Sequence, residues 1–156
     1  MTRRTLAYPA LLGLALALAC PADAGGQVTV TDGDSLSIDG QRIRLHAIDA
    51  PELGQTCADG WPAGRAARAR LAAMVDGQPV RCEPLTVDRY GRTVARCFAG
   101  AKDLGGAMVA AGMAWPFLRY GGAEYQPQEQ AARALGLGVH AHDCIPPAEY
   151  RARRRG

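Results

Sequence analysis

Apolar and polar positions alternate from Gln27 to Ile48 in three short runs, and the spacing predicts strands over Gln27 to Thr31, Ser35 to Ile38 and Gln41 to Ile48. Asp32-Gly33-Asp34 separates the first two. Asp39-Gly40 separates the second and third, and it is the strongest hairpin signal in the chain. Three strands joined by tight turns form a meander, the opening of a small barrel or curled sheet. The period then changes. Pro62 opens an Arg- and Ala-rich segment that closes at Gly77, with Ala67, Leu71, Met74 and Val75 on one face, which predicts a helix. Val80 to Val87 and Arg92 to Phe98 return to a strand pattern around a turn at Asp88 to Gly91.

A second helix is predicted where Asp103 can cap Leu104, Ala107, Met108 and Ala111 before Gly112 closes it. Trp115 to Tyr120 reads as an extended aromatic segment. Pro127 to Leu135 makes a third helix, supported by Glu129 and Arg133 four residues apart. The predicted fold class is therefore α+β and β-rich. Five strands, with a helix between the third and fourth, have the layout of an OB-type five-stranded β-barrel carrying three α-helices.

At 156 residues the chain is one domain, residues 25–156, behind a processed start at residues 1–24. Arg3 and Arg4 precede an apolar run from Ala10 to Ala19 that is too short to span a bilayer, and Ala22-Asp23-Ala24 offers a cleavage site after Ala24. The expectation is a secreted or periplasmic protein. A twin-arginine route stays open, as does lipidation at Cys20, which is the one way this chain would meet a membrane. Past the signal, Cys57, Cys82, Cys97 and Cys144 form an even set, which in an exported small domain reads as two disulfides. If the turn at Asp88 to Gly91 is central, position i faces position 179 minus i, and Cys82 lies opposite Cys97 within disulfide reach. Cys57 then pairs with Cys144 by elimination. Removing Arg3, Arg4 and Asp23 lowers the formal charge from +3 to +2, only a weak lean toward polyanions. Four arginines (Arg151, Arg153, Arg154 and Arg155) crowd the last six residues and read as a short, solvated basic tail.

Candidate chemistry gathers at Asp32-Gly33-Asp34, Arg44 and Ile48-Asp49-Ala50-Pro51-Glu52, which bring carboxylates and a guanidinium onto neighbouring strands and the turn after them. Asp88-Arg89-Tyr90-Gly91 delivers a second guanidinium, Arg92. Alone, each has a bland reading: a plain β-turn, a surface arginine, a solvent carboxylate, a turn aromatic. Together, carboxylates that hold a hard cation and forks that fit phosphate oxygens are what phosphodiester cleavage requires. Arg44 and Asp49 are five apart, on opposite faces of an ideal strand, so either the strand bends near Ala47 or Arg44 reaches over the rim. His140, His142 and Cys144 alternate like metal ligands, but Cys144 is already used by the disulfide.

Taken together, Asp32-Gly33-Asp34-Ser35, Arg44-Leu45, Ile48-Asp49-Ala50-Pro51-Glu52 and Asp88-Arg89-Tyr90-Gly91-Arg92-Thr93-Val94-Ala95 closely resemble the staphylococcal (micrococcal) nuclease family. The resemblance extends from Val28 to about Val139. It implies an OB-fold with three helices that cuts DNA and RNA with calcium. By motif position, Asp34, Asp49 and the Ala50 carbonyl would hold Ca2+, and Arg44, Glu52 and Arg92 would be catalytic. Tyr90, Phe117 and Tyr120 are substrate-binding candidates. The implied partner is nucleic acid, with no stable protein partner, and the implied state is a monomer. The rival expectation is a catalytically silent module of the same fold that only binds nucleic acid. Ala50 stands where family members often have Thr, and Val139-His140 replaces a frequent Ile-Trp.

Overall fold

Asp39 and Gly40 both take positive φ, 49° and 81°, which is what a two-residue hairpin turn demands of its central residues. They join β2 (Ser35–Ile38) to β3 (Gln41–Leu45) in antiparallel register, with Ser35 opposite Arg44 and Ile38 opposite Gln41. The computed structural model describes residues 26–156. The expected export signal, residues 1–24, and with it Cys20 lie outside that range. β1 (Val28–Asp32) pairs with β2, and β5 (Val80–Val87) with β6 (Thr93–Ala99), while β6 lies parallel to β3. The strand order β1-β2-β3-β6-β5 gives the curled, five-strand OB-type sheet expected.

The third strand is shorter than the alternation predicts. It stops at Leu45, and Ala47 takes φ 66°, a left-handed conformation costing an L-residue about 1–2 kcal/mol. The chain turns there and restarts as β4 (Ile48–Asp49). β4 pairs with a two-residue strand (Trp115–Pro116) drawn from the aromatic segment, and most of the rest of that segment is a 3-10 turn over Leu118–Tyr120. A further two-residue strand, Lys102–Asp103, pairs with β6.

Helix α1 (Ala63–Val75) buries Ala67, Leu71, Met74 and Val75, the face read from the sequence. That face joins one core with Leu36, Ile43, Leu45 and Ile48, each at most 4% exposed. Burying side chains of this size contributes about 1.5–3 kcal/mol apiece. Helix α2 (Leu104–Ala110) is capped by Asp103, whose carboxylate accepts the Gly105 N–H at 3.0 Å. Leu104 and Met108 point inward as expected, but Val109 takes the buried place while Ala107 and Ala111 stay half-buried. Helix α3 (Gln126–Ala134) carries the Glu129–Arg133 pair at 2.7 Å. A fourth helix, α4 (Pro147–Arg153), stands where the sequence suggests a solvated tail. Pro147 at its start fixes φ in advance, and Arg151 and Arg153 sit in its last turn, where the helix dipole favours cations.

Cys82 lies opposite Cys97 and is bonded to it, as the hairpin register requires. Cys57 is bonded to Cys144. The second bridge ties the loop beyond Glu52 to the segment leading into α4.

Candidate active site

Arg44 sits on β3 between Ser35 of β2 and Val94 of β6, so its neighbours come from both flanking strands. Its Nη1 donates to Asp34 Oδ2 at 2.8 Å, and its Nη2 to Asp49 Oδ1 and the Ile48 carbonyl, both at 3.2 Å. The left-handed turn at Ala47 is what makes this possible. It swings Asp49 back onto the face of Arg44, and a continuous strand would have placed it on the other. Of the two routes open in the sequence, the bend at Ala47 is the one the chain takes.

Asp34 and Asp49 are both buried, at 5% and 4% exposure. Asp34 Oδ1 accepts the Ser35 hydroxyl at 2.9 Å, and Oδ2 accepts the Ala50 N–H at 3.2 Å as well as Arg44. Burial nevertheless pushes the Asp34 carboxyl above the usual range, against the pull of Arg44. Asp32, just before, is pushed up to about 6, chiefly by burial and further by the negative charge of Asp34 and Glu52. Two buried carboxylates beside backbone carbonyls offer only oxygen, the donor a hard divalent cation takes. Asp34 and Asp49 are thus a pair that could hold one. Among the described residues no three His, Cys, Asp or Glu side chains form a metal-holding group. His142 Nδ1 instead meets Asp59 Oδ2 at 2.6 Å and its ring stacks on Trp61, while His140 lies edge-on to Trp115.

Arg92 reaches the same cluster through Ser35. Its Nε donates to Asp88 Oδ2 at 2.7 Å, and its Nη1 lies 3.4 Å from Ser35 Oγ, the hydroxyl bonded to Asp34. Tyr90 is exposed, with the Arg92 guanidinium carbon 5.7 Å from its ring centroid. Phe117 and Tyr120 pair with each other at 4.7 Å, and Phe117 is tied to the Ala47 carbonyl through its N–H at 2.7 Å. Thus Tyr90 joins the arginine end of the site, and the Phe117/Tyr120 pair adjoins the bend.

Glu52 sits in the turn after Pro51, where its N–H donates to Gln55 Oε1 at 3.2 Å and its carbonyl accepts the Gln55 N–H at 2.7 Å. Helix α1 presses on this turn. An added Cβ at Gly64 would lie 1.9 Å from the Glu52 carbonyl oxygen. The Glu52 carboxylate accepts a bond that the motifs do not announce, from Arg151 Nη1 of α4 at 2.7 Å. The same guanidinium grips Asp49 through Nη2 to Oδ2 at 2.9 Å and Nη1 to Oδ1 at 3.1 Å. Sequence reading missed Arg151, because one arginine in a run of four carries no local mark. Only the Cys57–Cys144 bond pointed that end of the chain toward the site.

Two cavities among the described residues lie elsewhere, one between β1 and α1, the other around Trp115, Val139 and His142. The acidic cluster instead meets solvent through Glu52 and Arg151, whose side chains are 37% and 31% exposed.

A curled sheet in the order β1-β2-β3-β6-β5, with buried carboxylates and guanidinium forks gathered at its strand ends, defines an OB-type protein, a class that binds oligonucleotides and oligosaccharides. Comparison with known sequences narrows this. The model of the staphylococcal nuclease homologue family matches residues 42–141, and the chain belongs to that family. It is 36% identical over 131 residues to a micrococcal nuclease of Shigella flexneri, covering 74% of this chain and 72% of that one. It is 35% identical over 120 residues to the succinoglycan biosynthesis protein ExoI of Rhizobium meliloti (strain 1021), covering 73% and 63%, and 34% identical over 117 residues to the staphylococcal-like nuclease CAN1 of Arabidopsis thaliana, covering 74% and 34%. The match thus spans about a third of the plant relative.

Proposed function

We propose that this chain is an exported, calcium-dependent endonuclease. It hydrolyses phosphodiester bonds of DNA, RNA or both with little sequence preference, leaving 3′-phosphate ends. The observation that carries the reading is the single guanidinium of Arg44 bridging two buried carboxylates, Asp34 and Asp49, from separate strands. Relatives named as nucleases support it. Two disulfides fit an oxidising compartment.

Asp34, Asp49 and the Ala50 carbonyl would hold the calcium. When bound, the ion supplies Lewis-acid stabilisation of charge on the phosphoryl oxygens and acidifies a nearby water. The chain's own groups do the rest. Glu52 takes the proton of the attacking water as that water approaches phosphorus in line with the 5′-oxygen. Arg44 and Arg92 present forks to the phosphoryl oxygens, where negative charge grows in the transition state. Ser35 holds Asp34 on one side and lies within reach of Arg92 on the other.

The test is a cleavage assay on heat-denatured DNA with the full chain after signal removal. Cleavage should require calcium, stop with chelator, and fall by at least about 100-fold in Glu52→Gln, the usual scale for loss of a general base. Retained binding with no cleavage across metals and pH would leave a silent nucleic-acid-binding module.

A further inference from the structure

Arg151 holds the acidic site more tightly than either arginine of the motifs. Its guanidinium makes three bonds at 2.7 to 3.1 Å, to both oxygens of Asp49 and to one of Glu52. Those two carboxylates are its only ion-pair partners among the described residues. Arg44 by contrast spreads over Asp34, Asp49 and a carbonyl. Proximity to carboxylate draws the Arg151 guanidinium well above its ordinary range, with the Asp49 bond as the largest cause.

The placement is built, because the backbone of α4 is clasped to the turn that carries Glu52. Cys144, three residues before the helix, is bonded to Cys57, five residues after Glu52. Gln55, 1% exposed, donates from Nε2 to the Ile145 carbonyl at 2.8 Å while its Oε1 accepts the Glu52 N–H. The Tyr150 hydroxyl reaches the Gly54 carbonyl at 3.4 Å. The helix is anchored, so the part free to move is the partly exposed arginine side chain.

Resting on the function proposed above, we infer that Arg151 is an in-chain counter-cation of the metal site, competing with the divalent ion for Asp49 and swinging off both Asp49 and Glu52 as the ion binds. A hard cation must touch carboxylate oxygens at about 2.3–2.6 Å, and a guanidinium that engages both oxygens of Asp49 claims the same lone pairs. The two positive charges would also lie within about 5 Å of one another, where repulsion near a protein surface is of kcal/mol order. By linkage, whatever affinity the ion costs Arg151, Arg151 costs the ion. The exchange has a second consequence. Glu52 has no other side-chain ion pair among the described residues, so releasing Arg151 frees the proposed base when the ion arrives.

Calcium titration by calorimetry on the full chain after signal removal tests this, using the parent, Arg151→Ala, Arg151→Lys and Arg153→Ala. Arg153 lies on the same helix but pairs only with Glu149. Arg151→Ala should bind calcium roughly tenfold more tightly or better, Arg151→Lys should fall between, and Arg153→Ala should match the parent. Without calcium, Arg151→Ala should melt lower than the parent, and calcium should raise its Tm by more. In parallel, the side-chain N–H resonance of Arg151 should shift on calcium addition. Equal or weaker affinity in a natively folded Arg151→Ala overturns the competition, while calcium-dependent cleavage by the parent leaves the nuclease reading standing. If neither parent nor variant binds calcium, the competition falls together with the metal site.

Discussion

Among the described residues Asp34 depends on Arg44 for its only opposite charge, whereas Asp49 has Arg151 as well. Arg44→Ala therefore leaves a buried carboxylate uncompensated, which costs about 3 kcal/mol at the lower end for a broken buried pair. For a domain of this size that is a fall in Tm of roughly 10 °C. Arg44→Ala with Asp34→Asn should regain much of the loss while remaining inactive, and thermal melts of the two variants beside the parent decide it. Arg92 is different, since its partner Asp88 is half-buried at the base of a turn whose tip, Arg89 to Gly91, is exposed. Arg92→Ala should lower kcat with little change in Tm, and steady-state kinetics beside a melt would show that split.

Asp88 carries a pH signature of its own. Burial pushes its carboxyl up, but N–H bonds from Arg92 and Tyr90 outweigh this and leave it below the ordinary 3.8. A depressed acid stabilises the fold above its unfolded pKa, and the contribution is lost as pH falls through the folded value. Asp88→Asn should thus melt below the parent at pH 6, with the gap closing as pH drops under about 3.8. A gap that persists at pH 2 would show the effect to be steric.

At the scale of elements, the turn carrying Glu52 is set by how closely α1 approaches it. A Cβ on Gly64 would also meet the carbonyl carbons of Glu52 and Leu53 at 2.7 Å, and backbone cannot yield as a flexible side chain would. Gly64→Ala should lower Tm and reduce cleavage at least tenfold by displacing Glu52. Gly54→Ala, two residues beyond Glu52 with open space around its Cβ, should leave both unchanged. Melting curves and initial rates for the two variants separate this packing effect from a general intolerance of the loop. Ala47 illustrates the opposite case, where an ordinary residue takes a left-handed conformation and re-aims the chain that follows it.

Across the whole molecule, the two disulfides stabilise unequally. Cys57–Cys144 spans 87 residues and Cys82–Cys97 spans 15. Chain entropy gives about 4–5 kcal/mol for the longer closure and about 3 for the shorter. Replacing Cys57 and Cys144 with Ala should therefore lower Tm more than replacing Cys82 and Cys97. It should also loosen α4 from the site, visible as faster amide exchange at residues 147–153.

Much of this was legible along the chain. Alternation, Asp39-Gly40, Pro62 and the Asp103 cap act within a few residues, so the main strands, three helices and the Cys82–Cys97 register follow from local chemistry. The motif residues Asp34, Arg44, Asp49, Glu52 and Arg92 were equally plain as a set. What sequence did not determine lies where distant segments meet. The break at Ala47 is imposed on a residue type with no preference for it, because β4 must leave the sheet to pair with Trp115–Pro116. Arg151 reaches Asp49 across 102 positions, a contact that depends on closing the chain through Cys57–Cys144 rather than on any pattern near residue 151. Local propensity is written in short windows, whereas convergence is decided only once the packed core and its cross-links fix where those windows sit.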